Sequence, residues 1–187
     1  MKLAFTKMHG CGNNYIYFNC FDQTVPDPES LSIKLSEPHF GIGGDGIILI
    51  SPSDKADAQM RIFNADGSEG KMCGNGIRCV GKYLYDNGMT DGRTTITIDT
   101  LSGVKTLELT VKDGKMQSAR VDMGAAILAP REIPVDMDGE NVISAPIVVD
   151  EKVYHMTCVS MGNPHCVIFQ KEDVDDLDLT RIGPKFE

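Results

Sequence analysis

Residues 75–87, NGIRCVGKYLYDN, set Ile77, Val80, Gly81 and Leu84 at i, i+3, i+4 and i+7, with Arg78, Lys82 and Tyr85 turned elsewhere. Asn87-Gly88 supplies a C-terminal stop. The spacing predicts a helix that must bury one face. Around it the chain reads as strands: β-rich runs at residues 15–18, 46–50, 59–63, 95–98, 104–111, 153–159 and 166–169, separated by turn residues. A second, short helix is predicted over residues 30–36, stopped by Glu37-Pro38. One strong helix among many strands buries its stripe best at the centre. The expected fold is therefore α+β, a mixed or antiparallel sheet wrapped around a central helix.

With 187 residues the chain suits one domain, or one and a part, and can bury a real core. Hydrophobic residues at 41% and charged residues at 24% argue against disorder. No apolar run reaches the roughly 18 residues that span a bilayer. The opening MKLAFTKMHG breaks on polar residues before a signal-peptide core forms, so a cytoplasmic location is expected. A net charge of −9 argues against nucleic-acid and anionic-membrane partners. Cys11, Cys20, Cys73, Cys79, Cys158 and Cys166 read as free thiols, because a cytoplasmic chain of this size needs no disulfide staples. No C-x-x-C pair occurs, and Cys73 and Cys79 would face different ways on a helix, so no metal is expected. All the cysteines except Cys73 are expected to be small core side chains.

The pattern turns irregular over residues 124–134 and then restarts in strands, which suggests a boundary near residues 118–125. A weak repeat accompanies it: GNNYIYF from Gly12 and GNPHCVIF from Gly162 are both Gly-Asn turns that run into an apolar strand. If a second half copies the first, the counterpart of Cys73 falls at about position 223, beyond Glu187. Either the match is accidental or most of a second half is missing.

In KMCGNGIRC, Cys73 precedes Gly74-Asn75-Gly76 at the start of the predicted helix. Unpaired N–H groups and the positive end of the helix dipole favour a thiolate there, which makes Cys73 a candidate base or nucleophile. The small residues beside it leave the amides of Gly74 and Asn75 open to a carboxylate or an enolate-like oxygen. Read the other way, the motif is a structural cysteine before a Gly-rich turn. Upstream, Asn64 ends a strand within reach of a ligand, although Asn-Ala-Asp-Gly is also an ordinary turn. GIGGDGIILI lacks the G-K-[ST] ending of a phosphate loop and leads into a strand, so it reads as a pocket wall or a turn. His9 and His165 adjoin Gly-Asn turns, and His165 could orient or polarise a thiol.

Taken together, KMHGCGNNYIYF, GIGGDGIILI, RIFNADGSEGKMCGNGIRC and VSMGNPHCVIF resemble, in order, the successive signatures of the diaminopimelate epimerase family. The resemblance implies two pseudo-symmetric α+β halves with the active site between them. Residues 1–118 would form the first half, carrying Cys73, and residues 119–187 the beginning of the second. It implies an isomerase that interconverts LL- and meso-diaminopimelate without a cofactor, using one cysteine thiolate and one thiol, in lysine biosynthesis. By resemblance Cys73 is one of the pair, and Gly74 and Asn75 bind the reacting carboxylate. Asn13 contacts the reacting end, Asn64 and Asn163 hold the distal amino acid group, and His165 neighbours the catalytic pair. The expected partner is the small-molecule substrate, and a homodimer is the protein partnership the reading allows.

Two departures stand out. Some members of the family carry glutamine where Gly46 stands. The family's second catalytic cysteine, in an ACGTG-like stretch, and the distal arginine and glutamate are absent, so the isolated chain is expected to be inactive. Alternative readings are a proline racemase-type or phenazine-biosynthesis-type isomerase of the same fold, a non-catalytic truncated fragment, and a thiol redox switch through Cys73.

Overall fold

The computed structural model describes residues 2–186. In chain order the elements are β1 (Thr6–Gly10), β2 (Asn13–Asn19), α1 (Pro28–Ser36), β3 (Gly46–Ser51), β4 (Ala58–Asn64), the short β5 (Glu69–Gly70), α2 (Gly74–Asp86) and β6 (Thr95–Thr100). They continue with β7 (Gly103–Lys112), β8 (Lys115–Val121), β9 (Val142–Val149), β10 (Lys152–Ser160), β11 (Pro164–Ile168) and the one-turn α3 (Leu179–Ile182). These elements fall into two compact units that divide between Met123 and Gly124.

In the first unit the strand order is β1-β2-β3-β4-β6-β7-β8, with β5 beside β4. Two pairs, β2/β3 and β4/β6, are parallel, and each needs a crossover: α1 lies within the first and α2 within the second. Strand periodicity sends alternate residues to the two helices. Tyr15, Tyr17, Ile48, Ile50, Met60 and Ile62 join Ile77, Val80 and Leu84 of α2. Their neighbours Ile16, Phe18, Ile47, Leu49 and Phe63 pack instead with Leu31 and Leu35 of α1. Burial on both faces is why β2 and β3 read as continuous apolar runs rather than alternating ones.

The sheet is curled around α2. Strands β1 and β8 stand at opposite ends of the order, yet both pack against this helix. In a flat sheet six strand spacings would hold them roughly 28 Å apart. Gly81 permits the close approach of β7, since a Cβ there would stand 2.8 Å from Leu107 Cδ2. Strand β8 is tied to the helix by polar groups: Lys82 Nζ donates to the Met116 carbonyl at 2.6 Å, and Met116 N–H donates to Asp86 at 2.9 Å. This is the α+β arrangement with a central helix that the sequence predicts.

Some elements differ from the sequence reading. Helix α1 starts two residues earlier, because Asp27 caps it by accepting from Ser30 N–H at 3.2 Å and Pro28 suits a first helical turn. Strands β1 and β8 are unread edge strands whose outer positions are polar and exposed. Strand β9 contains Pro146, which looks like a breaker but sits on an edge, where its missing N–H is tolerated.

The second unit is a three-stranded antiparallel sheet in the order β11-β10-β9. Its core gathers Ile133, Val142 and Cys158 with Ile127, Val135 and Met156. Among the described residues no helix is long and apolar enough to cross a membrane.

The six cysteines are free thiols, but they are not all core residues. Cys79 and Cys158 are buried and Cys20 is half-buried, whereas Cys11 and Cys166 are exposed. Cys11 occupies a tight turn with φ 54°, and Cys166 lies on the edge strand β11, so neither has a layer of structure over it.

Candidate active site

Cys73 is the N-cap of α2, with extended backbone (φ −138°, ψ 109°) before the first helical residue. Its carbonyl already accepts the helical bond from Ile77 N–H at 2.9 Å. Its sulfur takes the place of the usual cap oxygen, accepting from Gly76 N–H at 3.2 Å. Gly76 is required for this packing, because a Cβ there would lie 2.6 Å from Ile48 Cδ1 in the core. A Cβ on Gly74 would meet nothing within 4 Å, so the space before the helix is open at that residue. The N–H groups of Gly74 and Asn75, at the first turn, have no helical carbonyl four residues back. The thiol and two amides without helical acceptors therefore share one helix end.

The walls come from β2 and the loop before β3. The Cys73 thiol donates to Asn13 Oδ1 at 3.3 Å, and Asn13 Nδ2 donates to Asp45 at 2.9 Å. Asp45 also accepts from Asn14 N–H at 2.7 Å and Asn14 Nδ2 at 3.3 Å. The Tyr15 phenol adjoins both Cys73 and Asn13, and burial, followed by the neighbouring Cys73, pushes its pKa up to about 12. Asn75 turns its side-chain oxygen to Arg78, whose guanidinium also reaches Cys11 Sγ at 3.6 Å. Across the gap, Gly10 brings β1 against the helix start, where a Cβ would stand 2.9 Å from the Asn75 carbonyl.

The glycine-rich loop over residues 41–46 has a structural duty. The amides of Ile42 and Gly43 donate to the Leu35 carbonyl and that of Gly44 to Ser36, which satisfies the last carbonyls of α1. Those donors are used, so the loop is not a phosphate cradle. At Gly46 φ is 149°, and a Cβ would lie 2.0 Å from the Phe63 carbonyl oxygen, so this backbone path admits no glutamine.

The structure thus gathers Cys73, Gly74, Asn75 and Asn13. Asn64 stands at the end of β4, where its Nδ2 donates to Ser68 Oγ at 3.0 Å within the turn leading to β5. Asn163 and His165 belong to the second unit, at the β10–β11 turn, where Asn163 Oδ1 and His165 Nε2 are 3.2 Å apart and both residues are exposed. The sequence reading missed Asp45 and Tyr15. Asp45 carried only an Asp-Gly turn signal, and Tyr15 read as one apolar residue in a strand.

The curled sheet around a helix is shared with solved structures of racemases and epimerases. A hydroxyproline epimerase from Agrobacterium vitis, with bound trans-4-hydroxy-L-proline, aligns over 96% of this chain and 52% of its own with a TM-score of 0.66 at 16% identity. A probable proline racemase from Agrobacterium radiobacter aligns over 96% and 53% with a TM-score of 0.65, also at 16% identity. At that identity the likeness defines the fold class.

The sequence narrows it further. Residues 5–129 match the family model for diaminopimelate epimerase. Curated diaminopimelate epimerases from Acetivibrio thermocellus and Agathobacter rectalis are 55% and 54% identical, each over 99% of this chain and over 65% and 67% of the relative. One from Methanococcus maripaludis is 52% identical over 99% of this chain and 66% of its own. The chain belongs to the diaminopimelate epimerase family. It spans about two thirds of the length of these relatives.

Proposed function

We propose that this chain contributes the Cys73 side of a diaminopimelate epimerase active site, acting without a cofactor in the cytoplasm on a small amino acid substrate. The observation that carries the reading is the thiol at the N-cap of α2, with the Gly74 and Asn75 amides at the same helix end. Inverting a carbon centre requires proton removal on one face and return on the other, so two acid–base groups face each other across the substrate. Cys73 serves as one, and the second belongs to the further length present in the relatives. The Gly74 and Asn75 amides hold the α-carboxylate and stabilise the charge that builds as the proton leaves.

Asn13 lies at the reacting end, with Asn64, Asn163 and His165 assigned to the distal amino acid group and the neighbourhood of the thiols. A site built to pair every polar group of a distal amino acid rejects a shorter ligand, because its buried donors would go unpaired. The test is deuterium uptake into diaminopimelate from D2O, run on this chain and on a protein of the relatives' full length. The longer form is expected to exchange the α-proton, Cys73→Ala to abolish exchange, and the 187-residue chain alone to be inactive. Exchange that survives Cys73→Ala would overturn the assignment, and a preference for proline over diaminopimelate would favour the racemase alternative.

A further inference from the structure

Resting on that reading, we propose that Asp45 is a positioning residue for Cys73, acting through Asn13 to fix the carboxamide with its oxygen, and not its N–H2, toward the thiol. An amide can present either end to a neighbour, and here the neighbours decide. The Asp45 carboxylate can only accept, so Asn13 must offer it Nδ2, at 2.9 Å. That leaves Oδ1 facing Cys73 Sγ at 3.3 Å, an acceptor that can bond only to a thiol bearing its proton. Two further donors, Asn14 N–H at 2.7 Å and Asn14 Nδ2 at 3.3 Å, anchor the carboxylate, and Asp45 N–H returns a bond to the Asn14 carbonyl at 2.7 Å. The carboxylate is solvent-facing but held at both ends of its residue.

Among the described residues, Tyr15 and Tyr17 on β2 interact with Cys73, and Arg78 lies one turn along α2 beside Asn75. Arg78 is turned to Asn75 and Cys11, and the Tyr15 phenol bonds to both Asn13 and Cys73; Asp45 is the charged group that the Asn13 amide itself meets. A reaction run by one thiol and one thiolate needs each cysteine in a defined state. The Asp45–Asn13–Cys73 relay fixes which end of the amide meets the sulfur on this side, and the Gly76 N–H donates to the same sulfur.

The experiment is residue-resolved alkylation of Cys73 by iodoacetamide in four chains: unaltered, Asp45→Asn, Asn13→Ala and the double variant. With Asp45→Asn the Asn13 amide is free to turn Nδ2 to the sulfur as a donor, and the Cys73 rate at neutral pH is expected to rise on the order of 3- to 10-fold. In the Asn13→Ala background the same change is expected to have little effect. An unchanged rate in Asp45→Asn overturns the proposal, and so does an equal acceleration in both backgrounds, which would make Asp45 a simple charge. Protection of buried Cys79 reports that each variant is folded. Should Asp45→Asn not fold, Asp45→Ala takes its place, since it too frees the Asn13 amide to turn, with the same expected acceleration and the same overturning results. Labelling is independent of turnover. Failure of the epimerase reading leaves the Asp45 effect in place and removes α-proton exchange, whereas failure of the relay does the reverse.

Discussion

Replacing Gly76 with alanine sets two known effects against each other. In a helix alanine is favoured over glycine by about 1 kcal/mol. Against this, the new methyl would stand 2.6 Å from Cδ1 of Ile48, a fully buried side chain, and overpacking of this kind costs about 1–3 kcal/mol. The clash wins, and Gly76→Ala is expected to destabilise by about 1 kcal/mol. Contact with Cys73 is not the cause, because the methyl would lie 3.4 Å from its Cβ and Sγ, an ordinary distance. Ile48→Val removes the offending atom and by itself leaves a small void that costs about 1 kcal/mol. Together the two changes fill one space with one methyl, so the double variant should return close to the unaltered stability, a coupling of about 1–2 kcal/mol. Because the chain has no tryptophan, urea unfolding is followed by far-UV circular dichroism or by its five tyrosines. Single changes that add within about 0.5 kcal/mol, or a Gly76→Ala chain more stable than the parent, would refute the argument.

Two further outcomes follow from the same structure. Burial would raise the Asp57 carboxyl, but Thr97 N–H at 2.7 Å and the Arg93 ion pair at 2.7 Å outweigh it and hold the group below its ordinary 3.8. A lowered folded value stabilises above 3.8 and is lost as pH falls through the folded value, so the deficit of Asp57→Asn in urea melts should be full near neutrality and shrink below about pH 4. In a brief native alkylation, Cys11 and Cys166 should label first, with Cys79 and Cys158 protected until unfolding; early labelling of Cys79 would contradict its place in the core.

The helix stripe Ile77, Val80, Leu84 was legible because one periodic segment needs one apolar environment, and β2 and β3 were legible because burial on both faces makes their residues apolar. The edge strands were not. Of the seven residues in β8, Met116 alone is buried, so the strand's place is set by partners far away in sequence. Cys73 could be read because its helix-cap partners, the N–H groups of Gly76 and Ile77, are close to it in sequence. Asp45 could not, since its role depends on Asn13, which lies 32 residues away and meets it only after β2 and β3 pair. The glycine loop reads from sequence as a pocket wall or a turn, and its amides serve the end of a helix.

The curl of the first sheet also bears on how the chain is made. Helix α2 leaves the ribosome after β1–β4 but before β6, β7 and β8, the strands that supply Leu107, Leu109 and Met116 to its stripe. Until β8 emerges, one flank of the helix has no partner, and apolar side chains that end fully buried are open to solvent and to chaperones. The unit therefore closes from its last strand. Amide protection of α2 during synthesis should arrive late and all at once, when Met116 meets Lys82 and Asp86.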